Sequence, residues 1–83
     1  MNSILKSAIR KCAHFAGRSW CGYLRPQEIL ELIDLGVAFN WRSRMHEITV
    51  ERKREGVCNP LWFYFEPTDE FLEMKKNVRN INN

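Results

Sequence analysis

Five large apolar side chains stand in a row at Leu61-Trp62-Phe63-Tyr64-Phe65, with Asn59-Pro60 before them and Pro67 behind. A run of β-favouring residues bounded by turn formers reads as a strand. Alternation puts Leu61, Phe63 and Phe65 on one face, with Trp62 and Tyr64 on the other. A chain of 83 residues has one modest core to set against such a strand, so residues 1–83 are expected to form a single domain. Hydrophobic residues at 45% and charged residues at 28% are ordinary for a folded protein. No apolar run approaches the ~20 residues that cross a bilayer. There is no apolar signal core with a small-residue cleavage site either, and the expectation is a cytoplasmic protein with no membrane span.

Helical periodicity brackets the strand. From Ser3 to Ala16, the residues Ile4, Leu5, Ala8, Ile9, Cys12, Ala13 and Ala16 recur at helical spacing, and Gly17 supplies a stop. Arg18 to Leu24 reads as a connector pinned by Trp20 and Tyr23, aromatics expected to cap the core. The next helix starts at Pro26, a residue suited to the first turn, and ends at Gly36. Ile29, Leu30, Leu32, Ile33 and Leu35 give it a dense apolar face, and Gln27, Glu28 and Glu31 complement its positive end. Thr68 caps a last helix, Asp69 to about Val78, anchored by Phe71, Leu72 and Met74. Residues 79–83 read as a frayed, Asn-rich tail.

Between the second helix and the strand lies Asn40 to Gly56, which holds five of the thirteen Lys/Arg residues: Arg42, Arg44, Arg52, Lys53 and Arg54. Asn40 is a competent N-cap for a helix beginning at Trp41. As a helix, the stretch carries Trp41, Met45 and Ile48 on one apolar stripe and presents Ser43, His46, Val50 and Lys53 on the other side. Thr49 and Val50 are poor helix formers, and a rival reading makes Ile48 to Lys53 a strand paired with Leu61–Phe65. A further alternative makes Val37–Trp41 a strand in a three-stranded meander.

Helix, glycine-bearing turn and basic helix follow one another in the helix-turn-helix order. The span Leu24 to Phe65 resembles winged helix-turn-helix domains of phage and bacterial proteins. Ser43-Arg44-Met45-His46-Glu47-Ile48 matches their S-R-I-x-E-L segment, and Gly56 matches the glycine that ends it. The resemblance implies an α+β fold, a small winged helix-turn-helix-like domain of three or four helices with a β-hairpin after the basic helix. It also implies double-stranded DNA as partner and a role in regulation. Arg42, Ser43, His46, Thr49 and Lys53 would face the groove, and Arg52-Lys53-Arg54 the phosphates.

The charge distribution admits more than one partner. Five cations and no acid precede Glu28, whereas eight cations face ten anions from Glu28 onward. A basic first third suits a phosphate backbone, an anionic surface or an acidic protein. Exposed aromatics at Trp62 and Tyr64 beside arginine make a protein partner the alternative, the chain then being an inhibitor or accessory factor. A homodimer is among the options. Catalysis is not expected, because neither His14 nor His46 sits in a nucleophile motif or a glycine-rich phosphate loop. The odd cysteine count of three favours free thiols in a reducing compartment. Cys12, His14, Cys21 and Cys58 include no Cys-x-x-Cys pair, so neither a metal site nor a cofactor is expected.

Overall fold

The computed structural model describes residues 2–36, 38–39 and 43–81. It shows an α+β fold of helices α1 (Ser3–Lys11), α2 (Pro26–Leu35), α3 (Ser43–Arg54) and α4 (Asp69–Ile81), with strands β1 (Ala13–Ala16), β2 (Ser19–Leu24), β3 (Ala38–Phe39) and β4 (Leu61–Pro67). The sheet is antiparallel, in the order β1-β2-β4-β3. Four helices and a β-hairpin are therefore present, but the hairpin stands before α2. Among the described residues, no hairpin follows α3. Strand β4 pairs instead with β2, from Trp20 opposite Phe65 to Leu24 opposite Leu61. The basic stretch is helical through Arg54, so the strand reading of Ile48 to Lys53 does not hold.

Three expectations about the first third are corrected together. Helix α1 ends at Lys11, because Cys12 turns extended at φ −85° and ψ 143°. Residues 13–16 and 19–24, expected as helix and connector, are the two strands of a hairpin joined through Gly17 and Arg18. Gly17 has a φ of +54°, as the first residue of a tight hairpin turn requires. Pairing with β2 satisfies the β1 backbone groups that a longer α1 would have bonded internally.

The core lies on one side of this sheet. Phe63 and Phe65 from β4 and Leu24 from β2 are buried with Leu5, Ala8, Ile9 and Cys12 of α1. Ile29 and Leu32 of α2 and Phe71 and Val78 of α4 complete the cluster, which Trp20 and Met74 flank. Thr68 Oγ1 accepts the Phe71 N–H at 3.2 Å, which caps α4 where expected, although Leu72 is exposed rather than anchored. Lys75 ties α4 to α1 by donating to the last-turn carbonyls of Ile9 and Arg10 at 3.1 and 3.0 Å. That is where a helix end most favours a cation. Helix α3 packs on α2, and none of its described side chains belongs to this cluster.

Glu28 joins α1 to the start of α2. Its buried carboxylate accepts the Arg25 N–H at 2.9 Å, the Ser7 hydroxyl at 2.8 Å and the Lys11 ammonium at 3.0 Å. Burial alone would raise this carboxyl, but the Arg25 amide, Lys11 and Ser7 outweigh it and hold it below the ordinary glutamate range. With the folded value depressed, the stabilisation is fully present well above about pH 4.3, the unfolded value. It is lost as pH falls through the lower, folded value. Glu28→Gln is expected to lower stability by about 1 kcal/mol at neutral pH. Urea unfolding at neutral pH and near pH 3 checks this, because the gap to wild type should narrow in acid.

Candidate functional site

Helices α1, α2 and α4 cover one face of the sheet, and the residues that alternate with the core side chains point away from them. On β4 these are Trp62 and Tyr64, as the sequence predicted; on β2 they are Cys21 and Tyr23. Phe15 of β1 joins them. The four aromatic side chains are 59% (Phe15), 50% (Tyr23), 56% (Trp62) and 45% (Tyr64) exposed.

The rings form one chain of contacts. Phe15 meets Tyr64 edge-on at 5.3 Å between centroids, Tyr64 stacks beside Trp62 at 6.5 Å and 30°, and Trp62 lies against Tyr23 at 5.1 Å. Register explains the order. Tyr23 pairs with Trp62 and Cys21 with Tyr64, while Ala13 on β1 also pairs with Cys21. Phe15 thus reaches Tyr64 across β2. About half of four aromatic side chains, each able to bury roughly 150–250 Å², leaves on the order of 400 Å² of contiguous apolar surface. Patches of that size on a single chain are often functional.

Charged residues stand beyond the two ends of the paired strands. Exposed Arg25 follows Tyr23 by two residues and lines a hollow with Ser7, Lys11 and Glu28 of the first two helices. At the other end, Glu66 continues the outward side of β4 and, with Asp69, lines a hollow shared with Arg18 and Trp20. Among the described residues, neither Arg18 nor Arg25 forms an ion pair.

The expected DNA-reading helix is present but differently presented. His46, Val50, Lys53 and Arg54 are exposed, as predicted. Thr49 is not available to a groove, because it is fully buried. Its side of α3, with half-buried Arg52 one turn on, is the packing side, whereas Ile48 of the predicted apolar stripe is exposed. Among the exposed residues, Glu47 and Glu51 alternate with the cations, and Arg54 pairs with Glu51. Arg42 lies outside the described residues, as does the side chain of Ser43.

The thiols occupy three environments. Cys12 is buried, and burial pushes its thiol up to about 12, while Cys21 is half-buried and Cys58 exposed. Among the described residues, no three His, Cys, Asp or Glu side chains gather where a metal ion could be held, and no helix is long and apolar enough to cross a membrane. Sequence reasoning found Trp62 and Tyr64 but missed Tyr23, Phe15 and Cys21. The alternation that marked β4 runs through Trp20-Cys21-Gly22-Tyr23-Leu24 as well. Comparison with known proteins adds no relative: no family model, curated protein or solved structure matches the chain.

Proposed function

We propose that this chain is a non-enzymatic binding protein that holds a macromolecular partner against the outer face of its sheet. The observation that carries this reading is the chain of four half-exposed rings on a face that, among the described residues, no helix covers. Exposed aromatics are the side chains most often responsible for binding energy at interfaces. Affinity capture with wild type and with Trp62→Ala/Tyr64→Ala tests it. The double variant should keep the wild-type melting temperature, because both side chains project away from the core, and should bind at least about tenfold more weakly. Cys21 should be shielded from alkylation in the complex while Cys58 stays reactive. A partner held equally by wild type and double variant would sink this reading.

A second reading places duplex DNA on α3 and keeps regulation as its purpose. It is favoured by exposed His46, Val50 and Lys53 on one side of the helix, Lys53 forming no ion pair among the described residues. Arg54 would then exchange its Glu51 partner for a phosphate, whereas Arg52 lies towards the packing side. Lys53→Glu should abolish salt-sensitive binding to random duplex while Trp62→Ala leaves it intact. The carboxylates of Glu47 and Glu51 on the exposed surface make this the weaker reading.

A further inference from the structure

We infer that the aromatic face is where two copies of this chain meet, sheet against sheet, in a weak two-fold dimer. This rests on the docking role proposed above for that face and names a second copy as the partner. Three observations favour that occupant.

The first is the lack of charge on the paired strands. Strands β1 and β2 and the paired part of β4, Leu61 to Phe65, contain no Asp, Glu, Lys or Arg. In a two-fold interface the same patch lies on both sides, so a charged group near the axis meets its own like. A face without charge escapes that repulsion, and it offers an acidic or basic partner no counter-charge. Interfaces between identical subunits are also the more apolar ones, with charge depleted from their centres. The polar tips suit the same pairing, because the hydroxyls of Tyr23 and Tyr64 both donate and accept and can bond to their like.

The second is layering. Helices cover one face of the sheet and, among the described residues, none covers the other. An antiparallel sheet that meets water on one side ordinarily places polar side chains there. Here the outward positions hold Trp62, Tyr64, Tyr23 and Phe15, with Cys21 among them. A sheet with an apolar face buries it against a further layer, and two sheets do so about 10 Å apart with their side chains interdigitated. A second copy supplies a layer of the same outline and chemistry.

The third is area. The rings expose on the order of 400 Å² on each copy, so a pair covers about 800 Å² before the rim is added. Weak, transient interfaces lie below about 1,200 Å², whereas obligate dimers bury about 2,000 Å² or more. The core on the opposite face, with Phe63, Phe65 and Phe71, is closed by this chain's own helices. The monomer therefore stays folded, and the dimer forms and dissolves with concentration.

Cys21 marks the contact. It stands on β2, the middle of the three strands that carry the rings, opposite Tyr64 on β4 and Ala13 on β1. The middle of a shared patch lies nearest the two-fold axis, so the two Cys21 thiols approach each other across it.

The test is sedimentation velocity on the full chain from about 1 µM to about 1 mM, the range in which weak complexes assemble. Wild type should pass from monomer to dimer, and raising salt from about 50 to about 500 mM should leave the dimer intact, since no charged pair holds it. Trp62→Ala should weaken dimerisation at least about tenfold, because one substitution removes two rings from the interface. Its melting temperature at the dilute end should match wild type, which separates loss of the dimer from loss of the fold. Ile48→Ser, at an exposed apolar residue of α3, should change nothing. In Cys58→Ser, a short bis-maleimide should join two copies through Cys21, each thiol adding to one maleimide, while buried Cys12 stays unmodified.

A wild type that is monomeric at about 1 mM overturns the inference. So does a dimer that salt dissolves, that Trp62→Ala leaves unchanged, or that yields no cross-link through Cys21. If wild type stays monomeric but retains a different protein that Trp62→Ala/Tyr64→Ala loses, the second copy falls as occupant and the docking role stands. If neither self-association nor capture responds to the ring variants, the docking role falls as well.

Discussion

Phe71→Ala is expected to lower the stability of this domain by about 3–5 kcal/mol, the range for removing a buried aromatic ring. Phe71 is fully buried, with Trp20 at 5.7 Å and Phe65 at 5.2 Å between centroids, both edge-on. Phe65 in turn stacks on Phe63 at 5.3 Å. One ring therefore fastens α4 to β2 and β4 at once, and its loss leaves a cavity bordered by two strands and a helix. Small domains hold roughly 5–15 kcal/mol in total, so this loss leaves little margin. Urea unfolding followed by circular dichroism measures it. Phe71→Leu, which keeps most of the apolar volume, should recover a good part of the loss, while Trp62→Ala on the opposite face should cost little.

The contrast between Phe71 and Trp62 also shows what the sequence could reveal. Within β4, alternation alone separated the buried rings of Phe63 and Phe65 from the exposed ones of Trp62 and Tyr64, because a strand's period is local. Helix α2 was equally legible, since Pro26 opens it and Gly36, at a φ of +75°, closes it. Residues 13–16 were not. Cys12, Ala13 and Ala16 are small enough to continue the apolar stripe of α1, so period could not tell helix from strand there. Pairing with β2 decided the matter, and that contact is tertiary. Gly17 was recognised as a stop, correctly in its conformation and wrongly in what it stops.

Missing β1 and β2 had a direct consequence for the site. Two rings of the aromatic face, Phe15 and Tyr23, lie on strands whose sequence pattern reads as helix and connector, so the pattern shows two residues of the face instead of four. The partner of β4 was hidden for a related reason. Leu61 to Phe65 pairs with residues about forty positions earlier in the chain, and no local pattern reports such a register. The burial of Thr49 is a smaller case. The exposed residues His46, Val50 and Lys53 were placed correctly, but the packing side of α3 is rotated from Ile48 towards Thr49 and Arg52 because α2 is the element it meets.

Gly22→Ala is expected to destabilise the domain by about 1–2 kcal/mol, and Cys12→Ala is expected to relieve part of that loss. A methyl at position 22 would point into the core and meet Cys12 Sγ at 3.0 Å and Leu24 Cγ and Cδ2 at 3.2 and 3.3 Å. Neither neighbour has room to yield, since both are buried, and the Cys12 thiol is already engaged with the Ala8 carbonyl at 3.1 Å. Two effects oppose each other. Replacing glycine reduces the freedom of the unfolded chain, which favours the folded state by about 0.4–1 kcal/mol. Overpacking a closed core disfavours it by about 1–3 kcal/mol and wins here because the nearest approach is to sulfur fixed at the end of α1. Removing that sulfur should open space on one side and leave the Leu24 contact, so rescue is partial. A double-mutant cycle by urea unfolding should therefore show a favourable coupling of about 1 kcal/mol between the two substitutions. Additive effects would mean that α1 is not held against β2 by this close approach. The outcome bears on the binding face too, because Gly22 lies between Cys21 and Tyr23, and a shift of β2 at this point would move both.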